Sequence, residues 1–417
     1  MKNKKIHTPD GVKDFLPSEL ALKINLERKI ETIFNRYSYQ MISSPMFEFM
    51  EVFEGKGSVS EQQIYKFMDR DGATLALRSD MTPAIARITA TAYEKESLPL
   101  RFCYFANTFR NNESYQGKLK EATQAGVELI GSETDEATAE VIAVAARSLL
   151  AAGLTDFRLD IGSVEFFKAI MKDTALAAED YEKFQQRILD KDFVSAESMI
   201  KNSASGDDVK QLFSELPFLI GGHAVLEKAR QTTKNTAALA ALAQLETIYE
   251  ILREHGLEDY ISFDLSMIGY LDYYTGIIFR GYAHGAPTAI IDGGRYDTLL
   301  PKFGANYPAV GFAIKMDMLL SALAGALESP LFVRPDALIS YTKEGRATAL
   351  LTADELRRTG MCIENYLGSG TLAEQTAYAK KRGISGILHF MDDENVNILN
   401  LVNGSSKMAK ISELQGE

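Results

Sequence analysis

The sequence predicts an α+β fold: an antiparallel sheet flanked by helices, a helical insertion within it, and a small α/β domain at the C-terminal end. Three observations carry that expectation. Strand-length apolar segments follow one another across the first half of the chain and again after residue 260, which favours antiparallel pairing. Residues 165–258 have helix-length segments and almost no strand signal. Beyond Ser329-Pro330 and Arg334-Pro335, strands and helices alternate, the pattern of a separate α/β unit. The domains expected are a discontinuous core, 1–164 with 259–328, an insertion at 165–258, and a C-terminal domain at 335–417.

Taken in order, Leu26, Ile30, Ile33 and Phe34 recur at helical spacing after Pro17-Ser18 and predict an amphipathic helix. ISSPMFEF (Ile42 to Phe49) reads as an extended segment, and Pro45 confines it to an edge, which makes it a candidate dimer contact. TLALR (Thr74 to Arg78), a helix from Thr82, RFCYFANTFR (Arg101 to Arg110) and GVELIG (Gly126 to Gly131) follow. A long helix from about Asp135 ends at Gly153, a residue suited to the left-handed position after a helix. FRLDIG then returns to the sheet with Phe157, Leu159 and Ile161 at period two. The insertion breaks at SASG (Ser203 to Gly206) and LIGGH (Leu219 to His223). The sheet resumes with SFDLSMI (Ser262 to Ile268), GIIFRGYA (Gly276 to Ala283) and TAIIDGG (Thr288 to Gly294). In the last domain DALISY, CIENYL, GILHFM and VNILNL are strands, with helices after the first two.

Composition narrows the function classes. At 417 residues and 46% hydrophobic, the chain is too long for one ordinary core. No window approaches the ~20 apolar residues of a membrane helix, and no apolar run follows the basic N-terminus, so the expectation is a cytoplasmic protein with no membrane partner. Cys103 and Cys362 lie in apolar strand-like settings and read as buried free thiols. The five histidines show no metal-ligand spacing, so no metal is expected. A net charge of −12 weighs against a large nucleic-acid footprint.

The residues with chemical content lie at strand and helix ends: Asp80, Thr82, Arg110, Gln124, Glu128, and the Tyr273/Tyr274 pair beside Asp272. If their strands share one sheet, carboxylates, an amide and phenols converge on one pocket. Such a set suits a small zwitterion: a carboxylate for an ammonium, an amide for amine or carboxylate, and a carboxylate facing a phenol for the two nitrogens of an imidazole. Each residue taken singly reads more readily as a surface or capping group, Asp80 as an N-cap and the tyrosines as one buried and one exposed strand residue. Spacing alone leaves both readings open.

The motifs resolve this by resemblance. TPDGVKDFLP (Thr8 to Pro17), SSPMFEFMEVF (Ser43 to Phe53), TFRNNESYQGKLKEATQAGVELIG (Thr108 to Gly131), LDYYTGIIF (Leu271 to Phe279) and GGRYDTLL (Gly293 to Leu300) occur in the order found in class II histidyl-tRNA synthetases. Residues 7 to about 325 thus resemble that catalytic core, and the C-terminal domain looks like a weak version of its anticodon-binding domain. The resemblance implies a six- or seven-stranded antiparallel sheet and a dimer formed through the core. It also implies a histidine pocket: Asp80, in place of the usual glutamate, and Thr82 at the α-amino group, Gln124 and Glu128 at the amino acid and imidazole, Tyr274 facing the imidazole, Tyr296 as a further pocket tyrosine, and Arg110 and Tyr273 beside them.

The catalytic positions differ. Gly269 stands where the synthetases carry the arginine that stabilises charge on the α-phosphate. Asn112 replaces the acidic residue two after the second-motif arginine, and GFAIKMDM has Lys315 for a glycine and Met318 for the arginine that stacks on adenine. Histidine-handling residues kept beside lost ATP-handling ones resemble the regulatory subunits of ATP phosphoribosyltransferase. That resemblance implies no catalytic residue, no cofactor, L-histidine as effector, and a hetero-octamer of four regulatory and four short-form catalytic chains. The alternatives are a working histidyl-tRNA synthetase, or a synthetase-like sensor of histidine or tRNA. The acidic charge and the loss of a basic run at residues 117–120 weigh against the last.

Overall fold

In the computed structural model of the chain the described residues are 6–54, 60–112, 119–268, 274–324 and 334–414. The chain divides into two compact units, Met1–Glu328 and Ser329–Glu417. The first opens with helix α1 (Pro17–Arg36), which buries Leu26, Ile30 and Phe34 completely, at three- and four-residue spacing. Strands β1 (Gln40–Met41), β2 (Phe47–Phe49), β3 (Lys66–Met68) and β4 (Thr74–Leu77) precede helix α2 (Thr82–Ala92). Strands β5 (Leu100–Phe109) and β6 (Glu121–Ile130), helix α3 (Asp135–Ala152) and strand β7 (Phe157–Ser163) follow. The ends of α3 have local causes. Thr134 accepts a hydrogen bond from the Ala137 amide at 3.2 Å, Asp135 and Glu136 sit at the positive end of the helix, and Gly153 closes it at φ 100°.

The insertion consists of α4 (Val164–Lys172), α5 (Ala178–Leu189), α6 (Phe193–Lys201), α7 (Asp207–Glu215), the short strand β8 (Ile220–Gly221), α8 (Ala224–Thr232) and α9 (Thr236–Glu254). Strands β9 (Ile261–Asp264), β10 (Ile277–Ala283), β11 (Ile291–Arg295) and β12 (Ala309–Lys315) and helix α10 (Met316–Ala322) complete the unit.

The main sheet has nine described strands in the order β1-β5-β6-β12-β11-β10-β7-β9-β8. Its six central strands, β5 to β7 in that order, pair antiparallel, as expected. The outer pairs β1/β5 and β7/β9 are parallel, which corrects the purely antiparallel expectation. The cause is connection length: a parallel neighbour needs a crossover, and the helices of the insertion supply the one between β7 and β9. TLALR is also not part of this sheet. It forms the middle of a separate three-stranded sheet, β2-β4-β3, in which β2, two residues beyond Pro45, is an edge as expected of that segment.

One face of the main sheet is aromatic. Phe34 of α1 packs against Phe105 and Phe312 with ring centroids 5.8 and 6.1 Å apart, and Phe279 meets Phe312 at 6.4 Å. Cys103 lies fully buried on this face, and burial pushes its thiol up to about 12. Cys362, expected to be buried, is only half-buried. The opposite face, where small residues line the central strands, carries the site.

The second unit contains β13 (Ala337–Tyr341), α11 (Arg346–Arg358), β14 (Ile363–Asn365), α12 (Leu372–Arg382), β15 (Gly386–Phe390), β16 (Asn395–Asn400), β17 (Ser406–Lys410) and α13 (Ile411–Leu414). Its sheet runs β14-β13-β15-β16-β17, parallel about β13 and antiparallel from β15 onward. Thr371 and Glu374 cap α12 reciprocally, and Gly383 at φ 71° ends it.

Candidate binding site

Strand register places the site. In the central sheet Glu128 lies opposite Gly311, and Gly311 opposite Gly294; two residues along, Gly126 faces Ala313, and Ala313 faces Asp292; two further, Gln124 faces Lys315. Directly opposed residues share a face, so these three rows line the side away from the aromatic core. The result is a floor of small residues with Glu128 at one end and Gln124 and Lys315 at the other; the buried Tyr104, opposite Gly126, lays its phenol over that glycine, where an added Cβ would collide with the hydroxyl. Four residues of strand, roughly 13 Å, separate Glu128 from Gln124. Above the floor is a cavity of about 840 Å³ bordered by Asp80, Thr82, Arg110, Tyr274 and Tyr296 as well as these residues.

Glu128 is 1% exposed. Thr82 donates its hydroxyl to Oε1 at 2.8 Å, and Tyr296 donates its phenol to Oε2. Burial raises the carboxyl to about 8 although both hydrogen bonds lower it; the charge of Asp80 adds to the rise. Near neutrality this group is poised between acid and carboxylate, able to give or accept a proton-bearing hydrogen bond. Tyr274 stands over Gly294, where an added Cβ would lie 2.9 Å from its ring. Burial, with the charges of Asp292, Asp80 and Glu128, pushes its phenol far above the usual range, so it stays a neutral donor.

At the other end, Gln124 is 8% exposed and its Oε1 has no donor among the described residues. A buried acceptor without a partner costs free energy unless a ligand supplies a donor. Asp80 borders the cavity and accepts the Met81 amide at 2.8 Å; the N-cap of α2 is Met81 itself. The Ser79-Asp80 turn is held from two sides. Arg110 Nε donates to Ser79 O at 2.9 Å, and the buried Arg78 donates to Asn107 O at 2.7 Å and Ser44 O at 2.9 Å. Arg295 fixes the other wall, donating to Ser132 O at 2.9 Å, Thr138 at 3.1 Å and Asp297 at 3.0 Å beside Tyr296.

Of the residues named from the sequence, Asp80, Thr82, Arg110, Gln124, Glu128, Tyr274 and Tyr296 line one cavity. Tyr273 and Gly269 lie outside the described residues. Thr82 lines the cavity with its hydroxyl donated to Glu128. Asn112 borders the cavity and donates to Leu119 O at 2.9 Å, and Met318 presents a thioether at the wall. Sequence reasoning missed three wall residues. Lys315 Nζ lies 2.5 Å from Asp292 Oδ2, and Arg280 Nε 3.4 Å from Asp292 Oδ1. The available signal was position: Asp292 precedes the GGRYD run and Lys315 follows GFAI, both in phase with the floor. Away from the cavity, His223, Glu246 and Glu250 gather within 4.8 Å, which linear spacing concealed. Arg230 and Arg253 already pair with the two carboxylates.

Residues 11–319 match the histidyl-tRNA synthetase family. A regulatory subunit of ATP phosphoribosyltransferase from Acetivibrio thermocellus is 41% identical over 98% of both chains. One from Clostridium acetobutylicum is 36% identical over 91% of this chain and all of the relative. Among solved structures, an ATP phosphoribosyltransferase regulatory subunit/histidyl-tRNA synthetase from Bacillus halodurans has a TM-score of 0.82 at 30% identity, covering 93% of this chain and 98% of its own. The histidyl-tRNA synthetase of Nostoc sp. PCC 7120, at 21% identity over 98% of both chains and a TM-score of 0.79, shares the fold.

Proposed function

We propose, for a chain that belongs to the ATP phosphoribosyltransferase regulatory subunits and carries their histidyl-tRNA synthetase-like core, that the cavity is a receptor for free L-histidine. Membership makes it a non-catalytic partner of the catalytic subunit in histidine biosynthesis; the effector and its site are our reading. The observation that carries it is the presence, on one face of the sheet, of a buried carboxyl held by two hydroxyls and a buried amide oxygen without a donor among the described residues. An imidazole seated at Glu128 and Tyr296 directs its zwitterionic head toward Gln124 and Asp80. The cavity's buried dipoles then distinguish histidine from amino acids lacking a ring nitrogen, since those bury an apolar group against the Glu128 carboxyl and give its remaining acceptor capacity no N–H.

The bound amino acid is not activated. The positions that resemble the synthetases' ATP-handling residues hold Gly269 and Met318 in place of arginines and Asn112 in place of an acid; neither a bare backbone nor a thioether replaces a guanidinium, and an amide does not replace a carboxylate. Exposed Met46, Phe47, Phe49, Phe67 and Met68 on the three-stranded sheet support a homodimer through the core, itself part of an assembly of four regulatory and four short-form catalytic chains. Histidine then inhibits by binding one conformation of that assembly more tightly, and a coupling of ~1–3 kcal/mol gives 5- to 150-fold control.

Calorimetry on the purified chain is the direct test: saturable histidine binding below millimolar concentration is expected, and its absence removes the reading. Co-expression with a short-form catalytic subunit should give activity that histidine suppresses. Arg110, retained at the cavity, favours the second reading, a working synthetase. Histidine-dependent pyrophosphate exchange separates the two, and we expect none above background.

A further inference from the structure

We infer that Lys315 receives the α-carboxylate of the bound amino acid and that, with Gln124, it forms a clamp for the zwitterionic head. This rests on the histidine reading above and adds a residue to it. Lys315 and Gln124 face each other directly across β12 and β6, on the floor side of the sheet. An amino acid carries its ammonium and carboxylate on one carbon, so their partners must be neighbours, and directly opposed strand residues are. Gln124 supplies the acceptor for the ammonium, being buried and without a donor.

Lys315 supplies the matching charge. Its ammonium has three donors. One reaches Asp292 at 2.5 Å and one Ala289 O at 3.1 Å, so a third remains for a ligand. Asp292 alone does not neutralise it, because Arg280 draws on the same carboxylate from the next strand at 3.4 Å, so that two cations share one anion. The other arginine at the cavity, Arg110, has its Nε committed to the Ser79 carbonyl.

The test compares histidine with histamine, which has the ring and the amine but no carboxylate. Wild type should prefer histidine. Lys315→Met should weaken histidine by ~10- to 100-fold, the scale of one hydrogen bond to a charged group, and leave histamine within about twofold. Lys315→Arg, which keeps the charge, should retain part of the preference, and unchanged melting temperatures guard against a folding defect. The inference is overturned if Lys315→Met weakens both ligands alike, weakens neither, or if Arg110→Gln instead abolishes the preference. Failure of wild type to bind histidine would overturn the parent reading along with it.

Discussion

Replacing Glu128 by glutamine is expected to weaken histidine binding by ~100-fold or more and, at the same time, to make the empty protein more stable at alkaline pH. The binding loss follows from what surrounds the carboxyl. Both oxygens accept hydroxyl hydrogen bonds, from Thr82 and Tyr296, and the ligand's ring N–H requires an acceptor as well. An amide removes one acceptor and introduces a donor, so one hydroxyl or the ring nitrogen is left facing a like group in a buried site. The stability gain follows from proton linkage. Burial raises this carboxyl from 4.5 to about 8, so between those values the folded state holds a proton that the unfolded state releases. Its contribution is therefore intact below pH 4.5 and is lost as pH rises toward 8, at up to about 1.4 kcal/mol per pH unit. Glutamine has no charged form, and Glu128→Gln should lack that slope. Melting temperatures of both proteins at pH 5 and pH 8 check it: the wild type should fall more across the interval, and parallel behaviour would mean that Glu128 is not held protonated. Saturating histidine should flatten the wild-type slope, because a bound imidazole stabilises the carboxylate.

Much of this was legible in the sequence, for reasons that differ by level. Thr134, Asp135 and Gly153 mark the ends of α3 because capping is local chemistry. Pro45 marked an edge because it removes a backbone donor. The pocket residues were recognisable by resemblance to known motifs, and seven of them do line one cavity. What could not be read was register. That Gly311 faces Glu128, or Lys315 faces Gln124, depends on pairing between strands nearly two hundred residues apart, and a one-residue slip would send every side chain to the other face. Lys315 therefore read as a lost glycine, although in the structure it is a charged wall of the site. The parallel outer pairs were hidden for the same reason, since β1 is only two residues long and carries no periodicity, and β9 pairs with β7 across the whole insertion. The protonation of Glu128 depends on burial by three other segments, which no local window contains.

Register also yields the other large effect, at a residue with no side chain. A Cβ built on Gly311 would lie 2.7 Å from Glu128 Cδ, nearer still to its Oε2, and 2.6 Å from the backbone oxygen of Val127. The carboxyl alone could not relieve this by rotating, since Thr82 and Tyr296 hold both its oxygens and the Val127 oxygen belongs to a strand hydrogen-bonded on either side. Gly311→Ala should therefore cost about 1–3 kcal/mol of stability, the range for overpacking a filled interior. It should also reduce histidine affinity by ~100-fold or more, because small misplacement of a binding group is expensive. Gly222→Ala, where an added Cβ meets nothing within 4 Å, is the matched control and should change neither property beyond a few tenths of a kcal/mol. The variant separates shape from charge, since it leaves every polar group of the site in the chain and displaces the carboxyl together with the strand that carries it. Wild-type affinity in a folded Gly311→Ala protein would mean that the ligand does not sit on the glycine floor, and the assignment of Glu128 to the imidazole would fail with it.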